Sequence, residues 1–177
     1  MSKHPRRRRA QQTPNLTEAM MRIEKARSDG DVDLSLEKLG LTELPESVGQ
    51  LTQLCKLNVS RNQLTRVPEF IGQLTQLREL KLSSNQLTAL PESISQISRL
   101  RTLYLTNNLF RGLPEPVTRL TRLERLYLSG NRLTALPKSI SRMTRLQVLF
   151  LGNNKLTELP ESIGRLTQLQ ESVPRPQ

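Results

Sequence analysis

The stretch LTQLCKLNVSRNQLTRVPEFIGQ, residues 51–73, decides the fold because its pattern occurs five times in succession over residues 51–165. Each copy follows L-x-x-L-x-x-L-x-L-x-x-N-x-L-T-x-L-P-x-x-I-x-x and is 23 residues long. A fixed period of this length predicts a solenoid, in which each repeat buries its apolar side only against its neighbours. Six prolines keep the same spacing: Pro45, Pro68, Pro91, Pro114, Pro137 and Pro160.

Each letter of the repeat has a predicted structural role. In the third copy, the leucines of residues 100–105 alternate with other residues, which places them on one face of a short strand. Asn108 is expected to end the strand and to bond backbone groups that a tight turn leaves unpaired, so that stacked copies form a ladder. Leu109 and Leu113 are predicted to return to the core, and Pro114 to begin the return segment. Stacked repeats would therefore form a parallel sheet on the concave side of a curved solenoid.

The ends of the chain are predicted to differ from the repeats. We expect a disordered basic arm over 1–14, a capping helix over 15–30, a repeat domain over 31–172 and a flexible tail over 173–177. Asn15 and Glu18 have the spacing of a capping box, and Gly30 suits a helix C-terminus. The sheet is expected to end at Ser172, where the pattern requires a leucine. The helix is predicted to cover the first repeat with one apolar stripe: Leu16, Ala19, Met20, Ile23 and Ala26.

Residues 28–169 resemble the leucine-rich repeat family, on the motif L-x-x-L-x-L-x-x-N-x-L. The versions LTRVPEFIGQLTQL and LTELPESIGRLTQL are similar to the intracellular 23-residue class, which includes Ras-suppressor and Scribble-type scaffolds, plant Ras-group repeats and Roco repeat regions. The resemblance implies an α/β solenoid, a right-handed horseshoe with a parallel concave sheet. It also implies a scaffold or adaptor in intracellular signalling that binds a protein partner, such as a small GTPase, on that sheet.

Projecting the repeat onto the sheet gives the residues expected to face a partner. One series lies between the two core leucines of each strand: Ser35, Asn58, Lys81, Tyr104, Tyr127 and Phe150. A second series lies two residues earlier: Asp33, Lys56, Glu79, Thr102, Arg125 and Val148. Three of the five aromatic residues of the chain fall in the first series, on consecutive strands. Aromatic residues and arginine are enriched among interface hot spots, which favours a binding role. The alternative is that these rings only pack against each other, since aromatics favour strands.

The charge distribution suggests a different class of partner. The formal net charge is +11, and residues 97–142 hold nine arginines or lysines against two glutamates, whereas residues 31–50 are acidic. Nucleic-acid or anionic-surface binding is therefore an alternative function. It would use two groups of arginines, the basic arm (Arg6, Arg7, Arg8 and Arg9) and a convex flank (Arg99, Arg119, Arg122, Arg142, Arg145 and Arg165).

No catalytic or metal-binding pattern is present in the sequence. His4 is the only histidine and Cys55 the only cysteine, so neither a Cys/His metal cluster nor an intramolecular disulfide is expected. We predict no cofactor and no enzyme activity, unless the chain is the targeting module of a larger signalling enzyme. The absence of a membrane span, of a secretory signal and of disulfide caps predicts a cytoplasmic protein.

Overall fold

The computed structural model describes residues 15–172, and for residues 171 and 172 it describes only the backbone. One helix, α1 (Leu16–Asp29), precedes a series of strands joined by short segments with a 3-10 turn in each. The strands are β1 (Asp33–Ser35), β2 (Lys56–Asn58), β3 (Glu79–Lys81), β4 (Thr102–Tyr104), β5 (Arg125–Tyr127), β6 (Val148–Phe150) and β7 (Glu171–Ser172). The 3-10 turns are Glu46–Gln50, Glu69–Gln73, Glu92–Gln96, Glu115–Arg119, Lys138–Arg142 and Glu161–Arg165.

The strands form one parallel sheet in chain order, β1 to β7, which confirms the predicted solenoid. Each strand pairs with the next at a shift of one repeat, so that Leu80 lies beside Leu103 and Leu103 beside Leu126. The central leucine of each three-residue strand from β1 to β6 is buried, and its neighbours face the other side of the sheet. One apolar core therefore runs along the solenoid, bounded by the sheet and the 3-10 turns.

The asparagines form the predicted ladder. Asn108 Oδ1 accepts from the backbone N–H of Leu87 at 3.0 Å, in the preceding repeat. Its Nδ2 donates to the carbonyl oxygens of Leu82 at 3.0 Å and Leu105 at 3.1 Å, so that one side chain joins two repeats. The same three kinds of bond recur at Asn62, Asn85, Asn131 and Asn154.

The prediction for Leu109 is wrong. Leu109 is only half-buried, whereas Phe110 has no exposed surface. In the other full repeats a leucine stands two residues after the asparagine, as Leu87 follows Asn85, and Phe110 holds that place in the third copy. The core position is therefore set by the distance from the asparagine, and the larger ring fills it.

Helix α1 caps the first repeat, with a partial capping box. Asn15 Oδ1 accepts from the N–H of Glu18 at 3.2 Å, and Gly30 ends the helix at a φ of 68°. The return bond of a capping box is not made, because Glu18 bonds Arg22 at 2.6 Å and the N–H of Asn15 donates to Leu39.

The apolar stripe of α1 is narrower than predicted. Ala19, Ile23 and Ala26 are buried, but Leu16 is 54% exposed and Met20 is 37% exposed. Helix α1 therefore contacts the first repeat through Ala19, Ile23 and Ala26. Leu16 and Met20 lie at the border of this face.

One residue of each turn after a strand adopts a left-handed conformation. In the third repeat this residue is Asn107, with a φ of 56°, and in the fourth it is Gly130, with a φ of 70°. Lys38, Arg61, Ser84 and Asn153 hold the same position with φ between 55° and 59°. In the five full repeats this position precedes the ladder asparagine, and in the first, irregular repeat it precedes Leu39.

Candidate binding face

The two series predicted from the sequence lie on the exposed face of the sheet, in adjacent files. The inner file, defined as Ser35, Asn58, Lys81, Tyr104, Tyr127 and Phe150, is formed by residues that pair with each other from strand to strand. The outer file, defined as Asp33, Lys56, Glu79, Thr102, Arg125 and Val148, is formed in the same way. The parallel register thus brings residues 23 positions apart into contact distance.

Three rings of the inner file form an aromatic stack, which is Tyr104, Tyr127 and Phe150. The first two ring centroids are 4.5 Å apart with planes 6° from parallel. The second and third centroids are 5.4 Å apart with planes 15° from parallel. The tyrosines are half-buried by this contact, and Phe150 remains 37% exposed. The rings therefore pack against each other and are still accessible from the concave side.

A cation closes the stack at its N-terminal end. Lys81 Nζ lies 5.4 Å from the centroid of the Tyr104 ring, on the side away from Tyr127. Lys81 also bonds Glu79 Oε1 at 2.9 Å, and this hydrogen bond raises the pKa of the lysine. Burial, together with the neighbouring Tyr127, raises the pKa of Tyr104. Lys81 is therefore charged and Tyr104 neutral at physiological pH, so both can donate hydrogen bonds.

The N-terminal half of the face is polar, and its charges are largely paired. Lys56 Nζ bonds Asp33 Oδ2 at 2.9 Å across β1 and β2, and Asn58 donates to Glu37 at 3.1 Å. Exposed pairs of this kind add little to stability. The aromatic rings of β4 to β6 are therefore the main apolar feature of the face.

Thr102 is expected to be exposed on the concave face, but only 6% of its surface is accessible to solvent. Its short side chain lies in register between Glu79 and Arg125, whose side chains are longer. Period-2 alternation gives the face on which a residue lies, but the lengths of neighbouring side chains decide its exposure.

The basic groups singled out in the sequence are only partly described. The arm residues Arg6 to Arg9 lie outside residues 15–172. On the flank, Arg119 pairs with Glu92 at 2.8 Å, and Arg142 lies 3.4 Å from Glu115. Arg99 bonds Gln76. Three of the six flank arginines therefore bond side chains of the preceding repeat, so they have structural partners on the flank.

Other kinds of site were sought in the same part of the chain. Within residues 15–172 no group of three or more His, Cys, Asp or Glu side chains is arranged to hold a metal ion. The described helices include none with the length and apolar character needed to cross a bilayer. Cys55 is a half-buried free thiol.

Comparison with protein families finds the family described as leucine rich repeat at residues 33–87, 52–110 and 121–171. A two-copy version of the leucine-rich repeats matches residues 98–141. Comparison with curated proteins gives no match.

Several solved structures share the fold. A leucine-rich repeat protein of Leptospira interrogans is 32% identical with a TM-score of 0.71, and the match covers 89% of this chain and 45% of that one. YopM from Yersinia enterocolitica is 32% identical with a TM-score of 0.69, over 84% of this chain and 30% of that one. The ectodomain of the plant membrane receptor kinase GASSHO1/SCHENGEN3 from Arabidopsis thaliana, in complex with Casparian strip integrity factor 2, is 30% identical. Its TM-score is 0.70, over 83% of this chain and 18% of that one. The chain thus spans less than half the length of each of these structures.

Proposed function

Because the chain belongs to the leucine-rich repeat family, we propose that it is a non-enzymatic interaction module that binds a protein partner on its concave face. The observation that carries this proposal is the aromatic stack on the exposed side of β4 to β6. Rigid aromatic side chains supply large contact area at a small cost in conformational entropy, and they dominate interface energetics.

Two further observations support the proposal. The sheet beneath the rings is fixed by the core leucines and the asparagine ladder, so the rings are held in place before a partner arrives. A preformed face of this kind avoids part of the ordering cost of association. In addition, the similar Arabidopsis ectodomain is seen in complex with another molecule.

The proposed setting follows from the resemblance to the intracellular 23-residue class. We place the protein in the cytoplasm, as a scaffold or adaptor in signal transduction, with a small GTPase or another signalling protein as its partner. The alternative setting is the targeting module of a larger signalling enzyme, which would use the same binding face.

The test replaces the three rings of the aromatic stack with alanine in a single variant. Interface hot spots each contribute about 2 kcal/mol or more, so we expect partner enrichment in affinity capture from the native cell to fall by about 100-fold or more. Quantitative mass spectrometry of the captured proteins measures the loss. Ring stacking contributes roughly 0.5–1.5 kcal/mol per pair, so thermal unfolding should change only modestly.

A matched control carries three alanines elsewhere on the repeats: Arg122→Ala, Arg145→Ala and Gln168→Ala, all at exposed positions. This control should retain the partners of the wild-type protein. Capture that survives loss of the aromatic stack would contradict the proposal. If it also fell steeply with added salt, nucleic-acid or anionic-surface binding would be favoured instead.

A further inference from the structure

Adjacent 3-10 turns are connected by a carboxylate clamp. Glu115 begins one turn, and its carboxylate bonds Ser139 Oγ at 2.7 Å and lies 3.4 Å from Arg142 in the next turn. These partners stand 24 and 27 residues after the glutamate. The same spacings occur in two earlier interfaces, where Glu92 pairs with Arg119 and Glu69 accepts from the backbone N–H of Ser93.

The next interface breaks the pattern, because Lys138 stands where a glutamate is expected. The residues 24 and 27 positions later are Ser162 and Arg165, the same types that Glu115 contacts one repeat earlier. Among the described residues, neither Lys138 nor Arg165 has a side-chain ion pair or hydrogen bond. The interface therefore keeps the groups that bind a carboxylate but lacks the carboxylate itself.

The hydroxyl of Ser162 adds a second sign of a missing partner. Ser162 Oγ is buried and has no hydrogen-bond partner, whereas Ser139 Oγ, its counterpart, is bonded to Glu115. Ser93 Oγ is also unpartnered, but in that interface the carboxylate of Glu69 accepts a hydrogen bond from the backbone N–H of Ser93. A buried hydroxyl without a partner costs free energy that a bound acceptor would recover.

Lys138, Ser162 and Arg165 line one open cleft of about 850 Å³ between the last two 3-10 turns. Its walls include Ala135 and Pro160. The cleft is therefore large enough to admit a small ion together with its remaining water, and it opens on the side of the solenoid that carries the turns.

We propose that this cleft binds a small oxyanion, a phosphate or carboxylate group, in the place that a glutamate carboxylate occupies in the preceding interface. With Ser162 rotated about χ1 so that its hydroxyl faces the cleft, the anion accepts from Ser162 Oγ and from the guanidinium of Arg165, and Lys138 adds a third donor and a second positive charge. Glu158 and Glu161 also line the cleft and balance the charges of Lys138 and Arg165, so the formal net charge of its lining is zero. Binding is therefore expected in the millimolar range.

Titration of the full chain with inorganic phosphate, at constant ionic strength in chloride, tests the proposal. Amide chemical shifts in two-dimensional NMR should change at Ser162 and Arg165 and saturate. In Lys138→Glu the new carboxylate fills the site, so the apparent affinity should fall by at least about tenfold. Equal responses in the wild type and Lys138→Glu, or no saturable change at these residues, would overturn the proposal.

Two variants and a second anion sharpen the result. Glu115→Lys breaks the preceding clamp in the same way, so phosphate should now also shift Ser139 and Arg142. Glu161→Gln removes a repelling charge and should strengthen phosphate binding by a few-fold. Acetate in place of phosphate distinguishes the two groups: saturation by acetate at similar concentration indicates a carboxylate site, and saturation by phosphate alone a phosphate site. Absence of a phosphate response at Ser139 and Arg142 in Glu115→Lys would overturn the proposal, because the anion is proposed to take the place of the clamp carboxylate.

Discussion

Asn108→Ala is expected to lower the free energy of unfolding by about 2–4 kcal/mol, because it leaves the buried N–H of Leu87 without a partner and removes one of the two asparagine bonds at each of two buried carbonyls. The side chain is only 4% exposed, and it joins the N–H of Leu87 to the carbonyls of Leu82 and Leu105. Alanine cannot replace any of these bonds, and the surrounding leucines leave little access for water. Since two of the three bonds reach the preceding repeat, their loss weakens an interface of the solenoid as well as a turn.

Urea unfolding followed by circular dichroism measures the effect, and Asn154→Ala is the matched control. Asn154 makes the same kinds of bond, to the N–H of Leu133 and the carbonyls of Leu128 and Leu151, but it is partly exposed. Water can reach the freed groups there, so we expect a loss of roughly 1 kcal/mol, near the net value of an ordinary hydrogen bond. Equal losses for the two variants would show that burial of the ladder is not what determines its contribution.

Gly72→Ala is expected to destabilise the protein by about 1–3 kcal/mol, as overpacking does in other tight contacts. A Cβ at this position would lie 2.7 Å from both the carbonyl oxygen and the Cβ of Ser93, and 2.6 Å from Gln96 Oε1. The glutamine can move, but the backbone of Ser93 belongs to the next 3-10 turn and can move only by separating the two turns. Gly72 therefore permits the close approach of adjacent repeats.

Gly164→Ala is the control for this substitution, since Gly164 holds the equivalent place four repeats later. An added Cβ there meets nothing within 4 Å, and neither glycine has a positive φ. Alanine at residue 164 should be neutral or stabilising by up to about 1 kcal/mol, through the lower entropy of the unfolded chain. Thermal unfolding of the two variants separates the effect of the clash with Ser93 from the effect of alanine on the entropy of the unfolded chain. A comparable loss at both sites would rule out the clash with Ser93 as the cause.

The sequence predicts the framework well because every repeat carries the same information. The leucines determine which side of each strand is buried. The constant 23-residue spacing determines which residues pair between neighbouring strands. The asparagine ladder is predictable for the same reason, since Asn108 has an equivalent in each neighbouring repeat. The placement of the inner and outer files follows directly from that register.

What the sequence did not predict depends on contacts between particular side chains. Helical spacing groups Leu16 with Ala19, but the packing of α1 on the first repeat buries Ala19 and leaves Leu16 exposed. The burial of Thr102 depends on the lengths of Glu79 and Arg125. The left-handed residue of each turn has no fixed type, as Lys38 and Gly130 both hold it, so composition does not mark it.

The parallel arrangement of the rings in the aromatic stack has a consequence for what a partner touches. Aromatic rings carry negative charge on their faces and positive charge at their edges. In the stack, the faces of Tyr127 are covered by its neighbours and one face of Tyr104 lies near Lys81. A molecule that approaches from the concave side would therefore meet ring edges and phenol hydroxyls, which present C–H and O–H groups. Oxygen-rich surfaces, such as exposed peptide carbonyls, match that polarity better than cationic side chains do.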